Sequence, residues 1–253
     1  MSSSEGPDLS VIIPTCNSFP HLPVTLDVVL DAWPDLEIIV VADAYTPGPA
    51  LSEARTYQLS SDARIRVLEA RGPKAHAVRM GFEAARGRII AYLDADYGLE
   101  ATAGCLHHAV RLIAGEVADC VAADRDQHDW SRIRKAKTCG FIRLTGLLFP
   151  RLPVRDTQAP LKVMSSAAAH HLRLCATWRS RAFDVELLHR LHCARFCMQR
   201  YPVRWHGQDG QRPWATAFLL AYTAPSMVVG LFRIRLTTLL RGPRVQDHPG
   251  ARQ

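Results

Sequence analysis

"RIIAYLDADYG", residues 88–98, is an apolar run that ends in two carboxylates one residue apart. Residues 88–94 read as a buried strand, rich in β-branched and aromatic side chains. Residues at i and i+2 of a strand point to the same side, so Asp94 and Asp96 both reach one point beyond its end. Like charges that close repel, and a cation between them relieves the repulsion.

Outward from this stretch the chain alternates two patterns. Strand-like runs occur at "LSVIIP" (9–14), "LEIIVVA" (36–42), "RIRVLE" (64–69) and "ADCVAA" (118–123), with helical spacing over 22–33, 51–59, 75–85 and 101–113 between them. Repeated strand, helix, strand predicts an α/β fold with a mostly parallel sheet covered on both faces. Ligands of such sheets bind beyond the carboxyl ends of the strands. That rule collects Pro14, Thr15, Cys16 and Asn17, then Asp43, then Arg71 to Lys74, then Asp94 to Asp96, and Arg125. Acids and cations converging there suit a metal-bridged nucleoside diphosphate, with carboxylates on Mg²⁺ or Mn²⁺ and basic groups on the phosphates. A DxD by itself also serves as a helix cap, and "YGLEATAG" after it reads as a helix start.

Composition narrows the class. With 48% hydrophobic and 22% charged residues in 253, the chain is globular and long enough for a substantial core. A formal charge of +7 favours a polyanionic partner: nucleic acid, an anionic membrane surface or a phosphorylated substrate. Seven cysteines without a CxxC argue against a disulfide framework and for a reducing cytoplasm. His189, His192, Cys193 and Cys197 imitate zinc-ligand spacing, but no second ligand pair follows, and core or surface packing is the preferred reading. The start, "MSSSEGPD", has no secretion-signal layout and reads as a loose tail over residues 1–8.

The order "VIIPTCN", "EIIVVAD" and "GPKAHAVRMGFEAARGRIIAYLDAD" resembles the GT-A nucleotide-sugar domain of glycosyltransferase family 2. Further on, "LPVRDTQAPLKVM" (152–164), "RAFDVELL" (181–188) and "YPVRWHGQDGQR" (201–212) are similar to its dolichyl- and polyprenyl-phosphate β-glucosyltransferase branch. The resemblance implies a GT-A domain over 9–212, divided into a nucleotide-sugar part (9–125) and an acceptor part (126–212), with a helical tail over 213–253.

The resemblance also implies roles. Pro14 and Thr15 would line the nucleotide pocket, Val41 and Asp43 would address the uracil ring, and Lys74 would approach the nucleotide at a helix N-terminus. Asp94, Ala95 and Asp96 form the DxD for Mg²⁺ or Mn²⁺, with Asp96 the more direct ligand, and Arg125 and Arg212 would support the diphosphate. Asp156, Gln158 and Asp184 would surround the reacting centre, where Asp184 orients a cationic side chain or the sugar. Arg132, Arg134, Arg151 and Arg155, with Lys135 and Lys137, would cradle the acceptor phosphate. Departures from the family pattern are Ala42 for the first of two acids, Pro73 and His76 in the "RGPKAHAV" loop that carries Lys74, and "TQAPLK" where relatives read "TQCGFK".

A phosphate monoester, with its second pKa at about 6, is already an anionic nucleophile at neutral pH. The implied reaction is therefore metal-dependent, inverting glucosyl transfer from UDP-glucose to a polyprenyl phosphate without a strong general base. A soluble phosphorylated or antibiotic-type acceptor and a GDP-mannose donor stay open as alternatives. So do a nucleic-acid-binding module and a sugar-binding regulator without turnover, although the basic residues are scattered and match no recognition motif.

The tail decides where such an enzyme works. Residues 213–232 carry no charge, and "VVGLFRIRLTTLLR" (228–241) interleaves apolar and arginine positions. Length permits a membrane span, but Pro225 and Gly230 weaken it, and an interfacial helix at the cytoplasmic face of an anionic leaflet is the expectation. The alternative is a helix docked on the sheet.

Overall fold

The computed structural model describes residues 8–15, 21–33, 35–43, 55–56, 64–95, 99–126, 132–178, 181–204 and 224–241. Within them seven strands form one sheet and seven helices surround it. The first half follows the sequence pattern: β1 (Leu9–Thr15), α1 (Leu22–Ala32), β2 (Leu36–Asp43), β3 (Ile65–Ala70), α2 (Lys74–Ala84), β4 (Ile89–Leu93), α3 (Leu99–Ala114) and β5 (Cys120–Asp126). Then come α4 (Arg132–Leu148), β6 (Leu161–Ser165), α5 (Ser166–Cys175), α6 (Phe183–Cys193), β7 (Met198–Arg204) and α7 (Ala224–Arg241). The helix expected over 51–59 lies mostly outside the described residues, of which Arg55 and Thr56 are helical.

The strand order is β3-β2-β1-β4-β6-β5-β7. Strands β1 to β4 pair in parallel, β6 runs antiparallel between β4 and β5, and β7 lies parallel to β5 at the edge. Neither β6 nor β7 was expected from the periodicity. The run "LKVMS" is broken by Lys162, and "MQRYPVR" holds two arginines and a proline. An edge strand tolerates Pro202 because one side of its backbone has no partner to satisfy.

Alternation in the strands builds two cores. Leu9, Val11, Ile13, Ile89, Ala91 and Leu93 pack beneath α1 and α3, while Ile12, Ile39, Val41, Ile90 and Tyr92 pack beneath α2, α5 and α6. A Cβ on Gly81 would lie 2.2 Å from Cγ2 of Ile12, so only glycine lets α2 sit this close to β1. That contact seats the C-terminal half of α2 on β1, while Lys74 stands at the N-terminus of the helix, after β3. A third cluster of Phe149, Ala182, Val185, Leu231 and Ile234 joins α4, α6 and α7. The tail helix thus docks on two helices and not on the sheet.

Candidate active site

Strand parity aims the key acid. Ile90 and Tyr92 face the α2 side of the sheet, and Asp94, two residues on, meets Lys74 there. The Lys74 Nζ lies 2.6 Å from Oδ1 and 2.7 Å from Oδ2 of Asp94, and 5.5 Å from the centroid of the Tyr92 ring. With side chains 45% and 21% exposed, this pair is open to solvent and to an incoming ligand. Thr25 on α1 donates to the carbonyl of Ala95 at 2.8 Å and fixes the turn after β4 from below.

The segment before β6 arrives at the same edge, because β6 is antiparallel and begins where β4 ends. The Asp94 N–H donates to the carbonyl of Pro160 at 3.0 Å, so the DxD turn and the "RDTQAP" loop are stitched together. In that loop Asp156 is buried and accepts from Arg125 at the end of β5 through two parallel bonds, Nε to Oδ2 at 2.6 Å and Nη2 to Oδ1 at 2.9 Å. This fork-to-fork pair holds the loop against the sheet. Beside it, the Thr157 hydroxyl and the Gln158 amide nitrogen are buried with no hydrogen-bond partner among the described residues, as is the Thr15 hydroxyl at the end of β1. Buried polar groups seldom go unpaired, so these three are open positions among the described residues.

The other sequence candidates divide. Pro14, the last residue but one of β1, stands in register with Val41, and the Val41 side chain is fully buried among core residues, so only its backbone is left for any contact at this edge. Asp43 closes β2, and its side chain lies outside the described residues, as do Asp96 and Arg212 altogether. Arg132 and Arg134 stand in the first turn of α4, with side chains likewise outside that set. Arg151 and Arg155 are both exposed but act in different places. Arg155 faces Asp124, whose carboxyl is pushed up by burial and then by Asp156, against the pull of Arg200 and Arg155. Arg151 sits by His192, where burial first and this guanidinium second lower the imidazole pKa.

Asp184, in the first turn of α6, is buried and paired with Lys162, whose Nζ is 2.7 Å from Oδ1. Lys162, Thr157 and Tyr92 are site features that sequence reasoning missed. A lysine inside the apolar run "LKVM" was the available signal, since a charge there must find a buried partner. His189 and Cys193 do meet, with Sγ 3.6 Å from Nε2. Among the described residues no three His, Cys, Asp or Glu side chains cluster as metal ligands.

The model of glycosyl transferase family 2 matches residues 10–171, which span β1 to α5 and so the whole strand-end cluster. The chain belongs to glycosyl transferase family 2. This family 2 transferase is 30% identical over 233 residues to a dolichyl-phosphate beta-glucosyltransferase of Drosophila melanogaster, covering 84% of this chain and 71% of the relative. It is 28% identical to the Mus musculus enzyme of that name over 81% of this chain and 69% of the other. Among solved structures its fold is similar to glucosyl-3-phosphoglycerate synthase of Mycobacterium tuberculosis in complex with Mn²⁺, UDP and phosphoglyceric acid. The TM-score is 0.68 at 16% identity, over 96% of this chain and 80% of that one. The same enzyme with Mg²⁺ and UDP gives a TM-score of 0.66, over 96% of this chain and 81% of that one. These likenesses establish a GT-A fold and a glycosyltransferase.

Proposed function

We propose that this enzyme transfers glucose from UDP-glucose to a polyprenyl phosphate with inversion, giving a β-linked lipid phosphosugar. The observation that carries the reading is the joining of the DxD turn to the "RDTQAP" loop through Asp94 N–H and the Pro160 carbonyl. A donor-side acid and an acceptor-side loop are thereby held at one edge of the sheet. The 30% identity to the Drosophila melanogaster glucosyltransferase, spread over 84% of the chain, supports the choice of sugar and acceptor.

In this reading residues 9–125 receive the donor, 126–212 the acceptor, and 213–253 form the tail. Pro14, Thr15, the Val41 backbone and Asp43 would meet the nucleotide. Lys74 would turn from Asp94 to the diphosphate. The hard oxygens of Asp94 and Asp96 suit Mg²⁺ or Mn²⁺, and the solvent-open Lys74 pair leaves the Asp94 carboxylate exchangeable. Bound there, the ion would neutralise charge on the departing UDP. Arg125, committed to Asp156, would position the loop, while Arg155 and the unpartnered Thr157 and Gln158 groups would receive the acceptor phosphate. An acceptor phosphate oxygen forms the new bond to the anomeric carbon as its bond to the UDP oxygen breaks. The electron pair of that bond leaves with UDP, and an already ionised nucleophile has no proton to surrender.

The tail helix supports a peripheral site of action at the cytoplasmic face of the membrane. Val229, Phe232, Leu236, Leu239 and Leu240 are exposed along α7, and Arg233 stands exposed among them. No helix of the described residues is long and apolar enough to cross a membrane. A soluble phosphorylated acceptor is the second reading, favoured by the Ala159-Pro160 departure within the acceptor loop.

The deciding assay supplies UDP-glucose, Mn²⁺ or Mg²⁺ and a short-chain polyprenyl phosphate, beside soluble phosphate and hydroxyl acceptors. Lipid-linked glucose that vanishes with EDTA is the expected product. Transfer to soluble acceptors alone would replace the lipid reading with the second one.

A further inference from the structure

We infer that Lys162 is a positioning residue for the acceptor loop, and that Asp184 serves as its anchor and not as a catalytic base. The inference rests on the glycosyl-transfer reading for its kinetic consequences, and on geometry alone for its structural ones. Lys162 lies in β6, a central strand, between Tyr92 of β4 and Ala122 of β5 in register, and it is fully buried. A buried ammonium ion is costly unless every contact serves it. Its Nζ donates to Asp184 Oδ1 at 2.7 Å and to the carbonyl of Ala159 at 2.7 Å, and it stands 5.3 Å from the centroid of the Tyr92 ring.

These contacts link everything the proposed reaction needs to hold in register. Ala159 follows Gln158 and precedes Pro160, whose carbonyl accepts from the Asp94 N–H. Tyr92 carries a second cation near its ring, Lys74, which is bound to Asp94. Phe183, next to Asp184, packs against Tyr92 at 6.0 Å between centroids. One side chain therefore braces α6, the acceptor loop and the strand that delivers the DxD turn. A base must reach the nucleophile, yet the Asp184 side chain is 7% exposed and one of its oxygens is already held by Lys162.

The test uses the full chain with Lys162→Met and with the double substitution Lys162→Met/Asp184→Leu. Replacing a buried ion pair by apolar side chains of similar size often leaves stability intact, so the double variant separates folding from positioning. The expected result is a wild-type melting temperature in the double variant, with faster amide hydrogen exchange at Asp94 and across 156–160. In the same variant kcat falls about tenfold or more and the acceptor KM rises, while the UDP-glucose KM stays within about twofold. Wild-type kcat and acceptor KM in the double variant would overturn the proposal, as would a double variant that stays destabilised, which assigns the pair to the fold alone. Asp184→Asn supplies the opposite check: a loss of about a thousandfold in kcat with normal exchange in 156–160 would make Asp184 the base. If the wild-type enzyme turned over no phosphate acceptor, the proposed function would fail, and exchange at Asp94 would still decide the role of Lys162.

Discussion

The two ends of the sheet treat their polar groups differently. At the amino ends of the parallel strands, Glu37 accepts from Ser10 Oγ at 2.7 Å and from the Arg86 N–H at 2.6 Å, while the Gly87 N–H donates to Ser10 Oγ at 2.7 Å. Arg66 closes the group at 3.4 Å from the second Glu37 oxygen. At the carboxyl ends, the hydroxyls of Thr15 and Thr157 and the Gln158 amide are buried without partners among the described residues, and Lys74 meets Asp94 in the open. The first end has its polar groups paired within the fold, and the second leaves several without a partner among the described residues. Stability and activity should therefore be separable by position along the same strands.

The strongest way to break that contrast is at the DxD. Asp96→Ala is expected to abolish metal-dependent turnover, by about a thousandfold or more, with an unchanged melting temperature. Near-normal activity would remove the assigned metal site. At the opposite end, Glu37→Ala leaves the Ser10 hydroxyl and the Arg86 N–H without their acceptor. It should cost about 2–4 kcal/mol in chemical denaturation while KM for both substrates holds. A catalytic defect at full stability would erase the distinction between the ends.

A third test lies where α6 meets the tail. His189 contacts Phe149, Cys193 and Thr238, and burial, with His192, Arg190 and Arg235 added, lowers its pKa to about 4. The unfolded chain, with an imidazole pKa of about 6.5, binds the proton first. Stability from this group is complete above pH 6.5 or so and falls as pH drops towards 4, by at most about 3 kcal/mol. His189→Gln should flatten that part of the stability profile, and an unchanged slope would exclude His189 as its source.

Smaller effects sharpen the division within the active end. Lys74→Met should raise the UDP-glucose KM about tenfold and leave the acceptor KM alone, since Lys74 is half-exposed and interchangeable with solvent in the free enzyme. Arg155→Ala should raise the acceptor KM several-fold, more than the donor KM. An acceptor dependence that does not move would take Arg155 out of the cradle.

Much of this arrangement was legible in the residues. The strand ends that gather Thr15, Lys74, Asp94 and Arg125 follow from an alternating pattern and one rule about parallel sheets, because periodicity reports burial directly. Strands β6 and β7 escaped the same reasoning. Lys162 and Arg200 in them are met by partners remote in sequence, Asp184 and Asp124, and a pattern of apolar residues carries no record of such partners.

The same limit explains which contacts the residues alone left open. The sequence by itself determined the α/β class, the DxD at a strand end and the family, since each depends on local spacing or on short motifs. Only the tertiary structure decided that Arg125 is bound to Asp156, that Asp184 is paired with a buried lysine, and that α7 docks on α4 and α6. Those outcomes turn on which charges meet across the fold. A charge left at the surface is met by water, and the same charge buried must be met by a partner within the fold.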